Sequence, residues 1–185
     1  MTSPVPKSAI DSATELRHCM VATIRLLAHN KIHQPPGNLH RRISFADGTV
    51  ARVYRETVVD VESVVEPVTL IVGFRLRGVG GNKIAHTVFR LESLLNTPLF
   101  VGFKGFVSKL WMAHDNNNLY RGVYDWDGYD NADAYARALW WPLMVVSERA
   151  SIKYQIIPGV GRDSMLADPD VSPDGGQWWR PVHVE

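Results

Sequence analysis

The strongest constraint on the fold is the order of strand and helix signals between residues 68 and 158. Residues rich in β-branched and aromatic side chains predict four strands, at 68–75, 106–113, 119–126 and 151–157. A helix is predicted between the first two strands, at 82–95, and another between the last two, beginning at Asp130. Because a short polar turn at 114–118 joins the second and third strands, they form a hairpin. The order β-α-β-β-α-β predicts an α+β fold with two helices on one face of an antiparallel sheet.

The predicted strands carry apolar side chains on both faces. In the last strand the residues that alternate between the faces are Ile152, Tyr154 and Ile156 against Lys153, Gln155 and Ile157. Two helices cover only one face of a sheet, so the other face needs a second cover. A second copy of the chain is the simplest cover, and the sequence therefore predicts a ferredoxin-like domain that forms a homodimer.

Segments on either side extend this domain of residues 66–160. Residues 1–10 contain two prolines and are predicted to be disordered. Residues 11–65 form an N-terminal extension: a helix to about residue 31, then a hairpin of strands 41–45 and 49–59. Ser12 is the predicted N-cap of that helix, with Glu15 completing a capping box, and its apolar residues at helical spacing are Leu16, Met20, Ile24 and Leu27. Residues 161–185 read as a loose tail, although Trp178 and Trp179 are expected to dock on the body or on a partner chain.

Composition excludes several classes of protein. The net charge is +1 without a basic stripe, so no nucleic-acid partner is expected. No apolar run reaches about 18 residues, and no signal peptide is evident, so the prediction is a cytoplasmic protein without membrane attachment. Cys19 is the only cysteine and is expected to be a small buried hydrophobe. His29 and His33 lack an obvious acidic partner, so no metal site is predicted.

Four blocks of the chain carry a family resemblance. They are residues 89–100 (FRLESLLNTPLF), 105–111 (GFVSKLW), 120–126 (YRGVYDW) and 134–140 (AYARALW). With these blocks, residues 89–159 resemble the monooxygenase-like branch of the dimeric α/β-barrel superfamily, and similar blocks look familiar from actinobacterial proteins. That superfamily also holds antibiotic-biosynthesis monooxygenases, polyketide cyclases, chlorite dismutase-like proteins and haem-degrading enzymes.

The resemblance implies a cofactor-independent monooxygenase-like or cyclase-like enzyme that acts on an aromatic or polyketide-type small molecule. In the superfamily's cofactor-free oxygenases the substrate itself gives an electron to dioxygen. Such a site needs an apolar shape, a base and a donor for a developing oxyanion. A non-catalytic small-molecule-binding or structural homodimeric module of the same fold is the alternative.

One polar stripe is the candidate catalytic group. On the predicted helix 82–95 and just beyond it, His86, Arg90, Ser93 and Thr97 follow one another at steps of four, three and four. If the stripe lines a cleft, His86 would shuttle a proton, Arg90 would hold an anionic oxygen, and Ser93 and Thr97 would contact substrate. A solvated helix face explains the same pattern, and His86 is also the candidate axial ligand if the chain follows the haem-degrading branch.

Aromatic residues supply the predicted substrate wall. Those on the strands are Trp111, Tyr124, Trp126 and Tyr154, and Trp140 stands at a helix position near Pro142 where it could act as a lid. Packing in the core or at a dimer contact is the alternative for each of them.

Overall fold

A computed structural model of the protein describes residues 8–77, 100–113, 119–168 and 178–185. The helices among them are α1 Ala9–Ala28, α2 Tyr129–Val146 and α3 Arg162–Ala167, with a short 3₁₀ helix at Arg149–Ser151. The strands are β1 Ile32–His33, β2 Arg42–Phe45, β3 Val50–Val59, β4 Pro67–Arg75, β5 Phe106–Met112, β6 Leu119–Asp127, β7 Lys153–Pro158 and β8 Pro181–Val184. The predicted helix at 82–95 and the turn at 114–118 lie outside the described residues.

The strands form one sheet in the order β7-β4-β6-β5-β3-β2-β8, with β1 added on β3. All neighbouring pairs are antiparallel. β6 and β7 are therefore parallel to each other, and α2 is the crossover between them. The four strands β7-β4-β6-β5 have the order expected of a ferredoxin-like fold. The predicted α+β class is confirmed, whereas the dimeric barrel, the separate N-terminal extension and the domain boundaries stay predictions.

A bulge in β3 changes which side chains face which side of the sheet. Val53 pairs with Met112 and Arg55 with Trp111, so Tyr54 is an extra residue on β3. Before the bulge, Val53 packs in the core that includes Ile43 and Leu110. After it, Arg55 lies over the ring of Trp111 on the opposite face. The bulge therefore directs Arg55 toward the aromatic residues.

Each face of the sheet has its own core. On the helix-covered face, α2 packs over the strands, and the buried residues include Leu70, Trp111, Tyr124, Trp126 and Tyr135. The other face is covered by β2 of the β2–β3 hairpin, by α3 and by two indoles. Its buried residues include Ile43, Phe45, Met165, Leu166, Trp178 and Trp179. The chain thus covers both faces of its own sheet. This corrects the argument that one face needs a second copy; the homodimer itself stays a prediction.

The C-terminal segment is part of this second cover. Residues from about 160 onward are predicted to be a loose tail, but Arg162–Ala167 is helical and buries Met165 and Leu166. Trp178 and Trp179 are buried, which confirms that they dock on the body. At Gly73 of β4, a Cβ atom would lie 2.9 Å from a ring carbon of Trp178, so glycine lets the indole lie on the strand.

Helix α1 presents a different face to the core than its apolar pattern suggests. Its N-cap is Ser8, whose hydroxyl accepts a hydrogen bond from the Asp11 backbone N–H at 3.1 Å, rather than the predicted Ser12. Residues 9 and 10 already belong to this helix, although 1–10 are predicted to be disordered. The buried side chains include those of Ser12, Cys19 and Thr23, whereas Met20, Ile24 and Leu27 are exposed to 41%, 64% and 56%.

Close backbone contact explains why small side chains face inward on α1. A Cβ atom at Gly102 would lie 2.8 Å from the backbone nitrogen of Thr23 and closer still to the carbonyl oxygen of Cys19. Only short side chains fit between two backbones at such a separation. Cys19 is buried as predicted, and burial raises the pKa of its thiol to about 11.

Helix α2 begins earlier than predicted. Its N-cap is Gly128, at a φ of 96°, rather than Asp130. The helix includes Pro142 and continues to Val146. None of the helices in the described part of the chain is long and apolar enough to cross a bilayer.

Candidate functional site

A buried lysine marks the centre of the helix-covered face. Lys109 of β5 is 7% exposed. Its Nζ atom lies 3.2 Å from the ring centroid of Trp111, 4.5 Å from that of Phe100 and 4.6 Å from that of Tyr124. Lys109 and Trp111 are two residues apart on a strand, so their side chains share a face. In the ranges that the structure describes, no carboxylate forms an ion pair with Lys109.

Burial decides the protonation of this amine. Removing an ammonium group from water favours its neutral form, so burial lowers the pKa of Lys109 well below its ordinary value. The neighbouring positive charge of Arg55 lowers it further. An amine that loses its proton easily can accept one from a substrate, which makes Lys109 a candidate base.

Arg55 adds a cationic group beside the same indole. Its guanidinium carbon lies 3.8 Å from the ring centroid of Trp111. Burial lowers the pKa of Arg55, but a guanidinium keeps its proton in proteins. The indole N–H of Trp111 donates to the hydroxyl of Thr57 at 3.0 Å and fixes the ring between these side chains. The guanidinium therefore keeps a positive charge beside the indole.

Two tyrosines form the side of the site nearest α2. The hydroxyl groups of Tyr135 and Tyr124 are hydrogen-bonded at 3.2 Å. Burial raises the pKa of both phenols above the ordinary value, so both remain protonated and serve as hydrogen-bond donors rather than bases. Tyr135 also packs on Trp126, with ring centroids 5.0 Å apart.

The structure brings together most of the aromatic residues singled out in the sequence. Trp111, Tyr124 and Trp126 are buried in one cluster, and Trp140 and Tyr154 pack against it while partly exposed. The hydroxyl of Tyr154 donates to Asp133 at 3.2 Å, at the edge of this cluster. The residues His86, Arg90, Ser93 and Thr97 lie outside the described residues, so their predicted roles are untested.

Two of these tryptophans leave a buried donor without a partner. The indole nitrogens of Trp126 and Trp140 are inaccessible to solvent and form no hydrogen bond with any described residue. Buried donors are nearly always paired in proteins, so an unpaired one calls for an explanation. A ligand oxygen is one such explanation for a site lined by aromatic rings.

Lys109, Arg55 and Tyr135 are the site residues that sequence reasoning missed. Lys109 had a usable signal, because a lysine within a strand of otherwise apolar character alternates with Trp111. Tyr135 stands in the block at 134–140. Arg55 had no such signal, since its direction depends on the bulge at Tyr54.

These groups are poor ligands for a metal ion. A lysine amine, a guanidinium and protonated phenols do not offer the imidazole, thiolate or carboxylate donors that metals take in proteins. Among the residues that the structure describes, no group of three or more His, Cys, Asp or Glu side chains could hold a metal ion.

Comparison with known proteins gives a limited result. No family model matches the sequence, and no curated protein matches it. A solved structure of a monooxygenase-like protein from Listeria innocua is similar at 14% identity and a TM-score of 0.39, covering 59% of this chain and 63% of that one. An uncharacterised ferredoxin-fold protein related to antibiotic biosynthesis monooxygenases, from Listeria monocytogenes, is similar at 14% identity and a TM-score of 0.41, covering 72% and 85%.

Likeness at this level carries no argument about activity, and it assigns the chain to no family. The chain spans less than two thirds of the Listeria innocua protein, at 63%. Neither comparison supports the actinobacterial origin that the sequence blocks suggest. The α+β class rests on the strand order and the site on its own residues.

Proposed function

We propose that the protein is an enzyme that binds an aromatic or polyketide-type small molecule on the helix-covered face and activates it by removing a proton. The main observation in support is the position of Lys109. Its amine is buried against Trp111, Phe100 and Tyr124 and has no carboxylate partner among the described residues. Burying a lysine is unfavourable for folding, so its retention among aromatic rings supports a role in chemistry.

The roles of the side chains follow from their charge. Neutral Lys109 takes a proton from a C–H group beside a carbonyl or phenol. The guanidinium of Arg55 stabilises the enolate or phenolate oxygen that forms. Trp111 and Tyr124 provide flat surfaces for an aromatic substrate. The roles of His86 as proton shuttle and Arg90 as anion anchor, with Ser93 and Thr97 as substrate contacts, remain part of this proposal.

Two reactions can follow from the carbanion. In oxygenation, the carbanion gives one electron to dioxygen, and the resulting carbon radical and superoxide combine to form a C–O bond. The peroxide anion takes up a proton to give the hydroperoxide, which then loses its second C–H proton as its O–O bond breaks. The hydroxide that leaves takes up a proton to become water. A methylene group and dioxygen thus become a carbonyl group and water. In cyclisation, the carbanion attacks a second carbonyl of the same molecule, and no dioxygen is consumed.

Oxygen uptake with an enolisable aromatic probe tests the proposal. With 1,8-dihydroxyanthrone, we expect the protein to accelerate formation of the anthraquinone above the spontaneous rate. Replacing the base, in Lys109→Met, should lower the accelerated rate by at least about 100-fold, a typical contribution of a general base. The matched control is Lys31→Met, at an exposed lysine, which should leave the rate unchanged.

Unchanged turnover in Lys109→Met would disprove the assigned role of this lysine. Absence of acceleration with anthrone, hydroxynaphthalene and diketide probes, together with saturable quenching of tryptophan fluorescence, would favour the alternative of a non-catalytic binding module. That alternative has support of its own, because the cluster is densely packed: the Trp126 ring lies 5.5 Å from Phe106 and 5.0 Å from Tyr135. If neither acceleration nor quenching is observed, the structural homodimeric module is the remaining interpretation.

We also propose that the chain pairs with a second copy through the exposed stripe of α1, Met20, Ile24 and Leu27, rather than through the sheet. Exposed apolar stripes of this kind mark contact surfaces. Asp11 lies in the first turn of α1 and Arg25 in the last. A two-fold axis perpendicular to the helices would make two such helices antiparallel and bring Asp11 toward the partner subunit's Arg25.

The mass in solution tests this pairing. We expect the wild-type protein to have twice the chain mass of 20.8 kDa and Ile24→Glu to have the mass of one chain, by light scattering after size exclusion. Val182→Glu is the control, because Val182 is 43% exposed on β8, away from α1. A wild-type protein of single-chain mass, or a dimer that persists in Ile24→Glu, would contradict the proposal.

A further inference from the structure

A groove separate from the Lys109 cluster lies between α1, the segment at 102–105 and the first turns of α2. Its volume is about 350 Å³, and its lining includes Glu15, His18, Phe103, Lys104 and Asn131. This volume is at the lower end of the range for small-molecule sites. The polar residues come from three chain segments, so the groove exists only in the folded protein.

The floor of the groove is built rigidly. Gly102 lies against the backbone of α1, where a Cβ atom would come within 2.8 Å of the Thr23 nitrogen. Gly105 has a φ of +80°, and a Cβ atom there would lie 2.6 Å from the side-chain nitrogen of Asn131. Both glycines therefore permit a close approach that no other residue allows, and they hold the segment between α1 and α2.

Asn131 is fixed with its acceptor available. Its side-chain nitrogen donates to the backbone carbonyl of Asp127 at 2.7 Å, which sets the orientation of the amide. The amide oxygen forms no hydrogen bond with any described residue, so it can accept one from a ligand. The carboxylate of Glu15 has several acceptor positions and can accept a hydrogen bond beside its other contacts, so the groove offers acceptors on Glu15 and Asn131 for the donor group of a small molecule.

Cationic and apolar groups complete the lining. Lys104 and His18 are exposed donors, and a lysine ammonium binds carboxylates by charge. The ring of Phe103 packs edge-on against Tyr135, with centroids 5.3 Å apart, so its position is fixed. Phe103 and the neighbouring Ala134 give the groove an apolar wall.

We propose that this groove is a second binding site, for a small aromatic carboxylic acid that also carries a hydroxyl or ammonium donor. The carboxylate pairs with Lys104 and His18, the ring packs on Phe103, and the donor group reaches Glu15 and Asn131. The site is independent of the chemistry proposed at Lys109.

Three related probes test which groups the groove recognises. 4-Hydroxyphenylacetate carries both groups, phenylacetate lacks the donor, and 4-hydroxyphenethyl alcohol lacks the carboxylate. In titrations followed by NMR on the full chain, we expect saturable binding of 4-hydroxyphenylacetate in the millimolar range or tighter, with shifts at Phe103 and Tyr135. Each of the other probes should bind at least about tenfold more weakly, which is the loss of one good polar contact.

Variants separate this site from the Lys109 cluster. Lys104→Gln should weaken binding of 4-hydroxyphenylacetate about tenfold, and Glu15→Gln should remove the preference over phenylacetate. Lys31→Gln and Lys109→Met should leave the dissociation constant unchanged. The proposal is overturned if no saturable binding is observed, or if the alcohol binds as tightly as the acid. It is also overturned if Lys109→Met weakens the binding of 4-hydroxyphenylacetate and Lys104→Gln does not. That last result would place the ligand in the buried cluster instead.

Discussion

Replacing Arg162 by methionine should lower the free energy of unfolding by about 3–5 kcal/mol, because it leaves a buried carboxylate without its charged partner. The Nη2 atom of Arg162 lies 2.8 Å from Oε1 of Glu56, and the two side chains are 4% and 3% exposed. This ion pair links α3 to β3. In its absence Glu56 would retain the hydrogen bond donated by the Asn38 amide at 2.8 Å, which supplies no compensating charge.

Unfolding by urea and by heat measures this effect. For a chain of this length the expected loss corresponds to a fall of roughly 10 °C in Tm. The matched control is Arg137→Met, which breaks the partly exposed pair in which Arg137 Nε lies 2.8 Å from Asp133, and which should cost only about 0–1 kcal/mol. The double variant Glu56→Gln/Arg162→Met should recover much of the loss, since position 56 no longer carries an uncompensated buried charge. A loss in Arg162→Met no larger than that in Arg137→Met would show that the pair does not hold α3 in place.

Replacing Lys109 by methionine should have the opposite sign and make the protein more stable at neutral pH. Methionine has nearly the volume of lysine without an amine to remove from water. The pKa of Lys109 is lowered in the folded chain and ordinary, at 10.5, in the unfolded chain. Between these two pKa values the unfolded chain binds a proton that the folded chain does not. Stability contributed by this group therefore rises with pH up to about the unfolded value and is constant above it.

The advantage of Lys109→Met over the wild type should accordingly shrink as the pH rises toward 10.5. The limit is about a factor of ten in the folding equilibrium constant per pH unit. Urea unfolding of both proteins at several pH values between 7 and 10.5 gives the difference directly. Tyr124 and Tyr135, whose pKa values are raised, are present in both proteins, so their titration cancels. A difference that does not change with pH would contradict an amine with a lowered pKa.

The two predictions describe different uses of buried charge. Arg162 and Glu56 are paired, and their pairing stabilises the fold. Lys109 has no carboxylate partner among the described residues and is expected to destabilise it. Proteins keep such residues where activity needs them, which is why the Lys109 cluster and not the Arg162 pair is the candidate site.

The positions of α1, α2 and strands β2 to β7 could be predicted from the sequence, because the signals are local, whereas β1, α3 and β8 were not predicted. The predicted strand at 119–126 is observed at Leu119–Asp127, and that at 68–75 at Pro67–Arg75. Alternation of apolar residues, turn residues and helical spacing act over a few neighbouring residues, so they are legible without the fold. The α+β class followed from their order.

The faces of these elements were decided only by the tertiary structure. The apolar stripe of α1 predicts a buried Met20, but close approach of Gly102 to the Thr23 backbone selects the side with the smaller residues. Trp111, Tyr124 and Trp126 were singled out together from the sequence, and they lie in one buried cluster. Arg55 reaches that cluster only because a one-residue bulge turns its side chain, in a strand that pairs with a distant part of the chain.

The order of strand and helix signals between residues 68 and 158 thus determined the class of fold by itself. The alternating side chains of the predicted strands also showed that the sheet is apolar on both faces. Which groups cover the second face could not be read from it, because burial depends on contacts between residues distant in sequence. In the structure, β2, α3 and the indoles of Trp178 and Trp179 cover that face, and Lys109 is buried on the other face. Local chemistry sets what each segment can form, and long-range packing sets which side chains are removed from water.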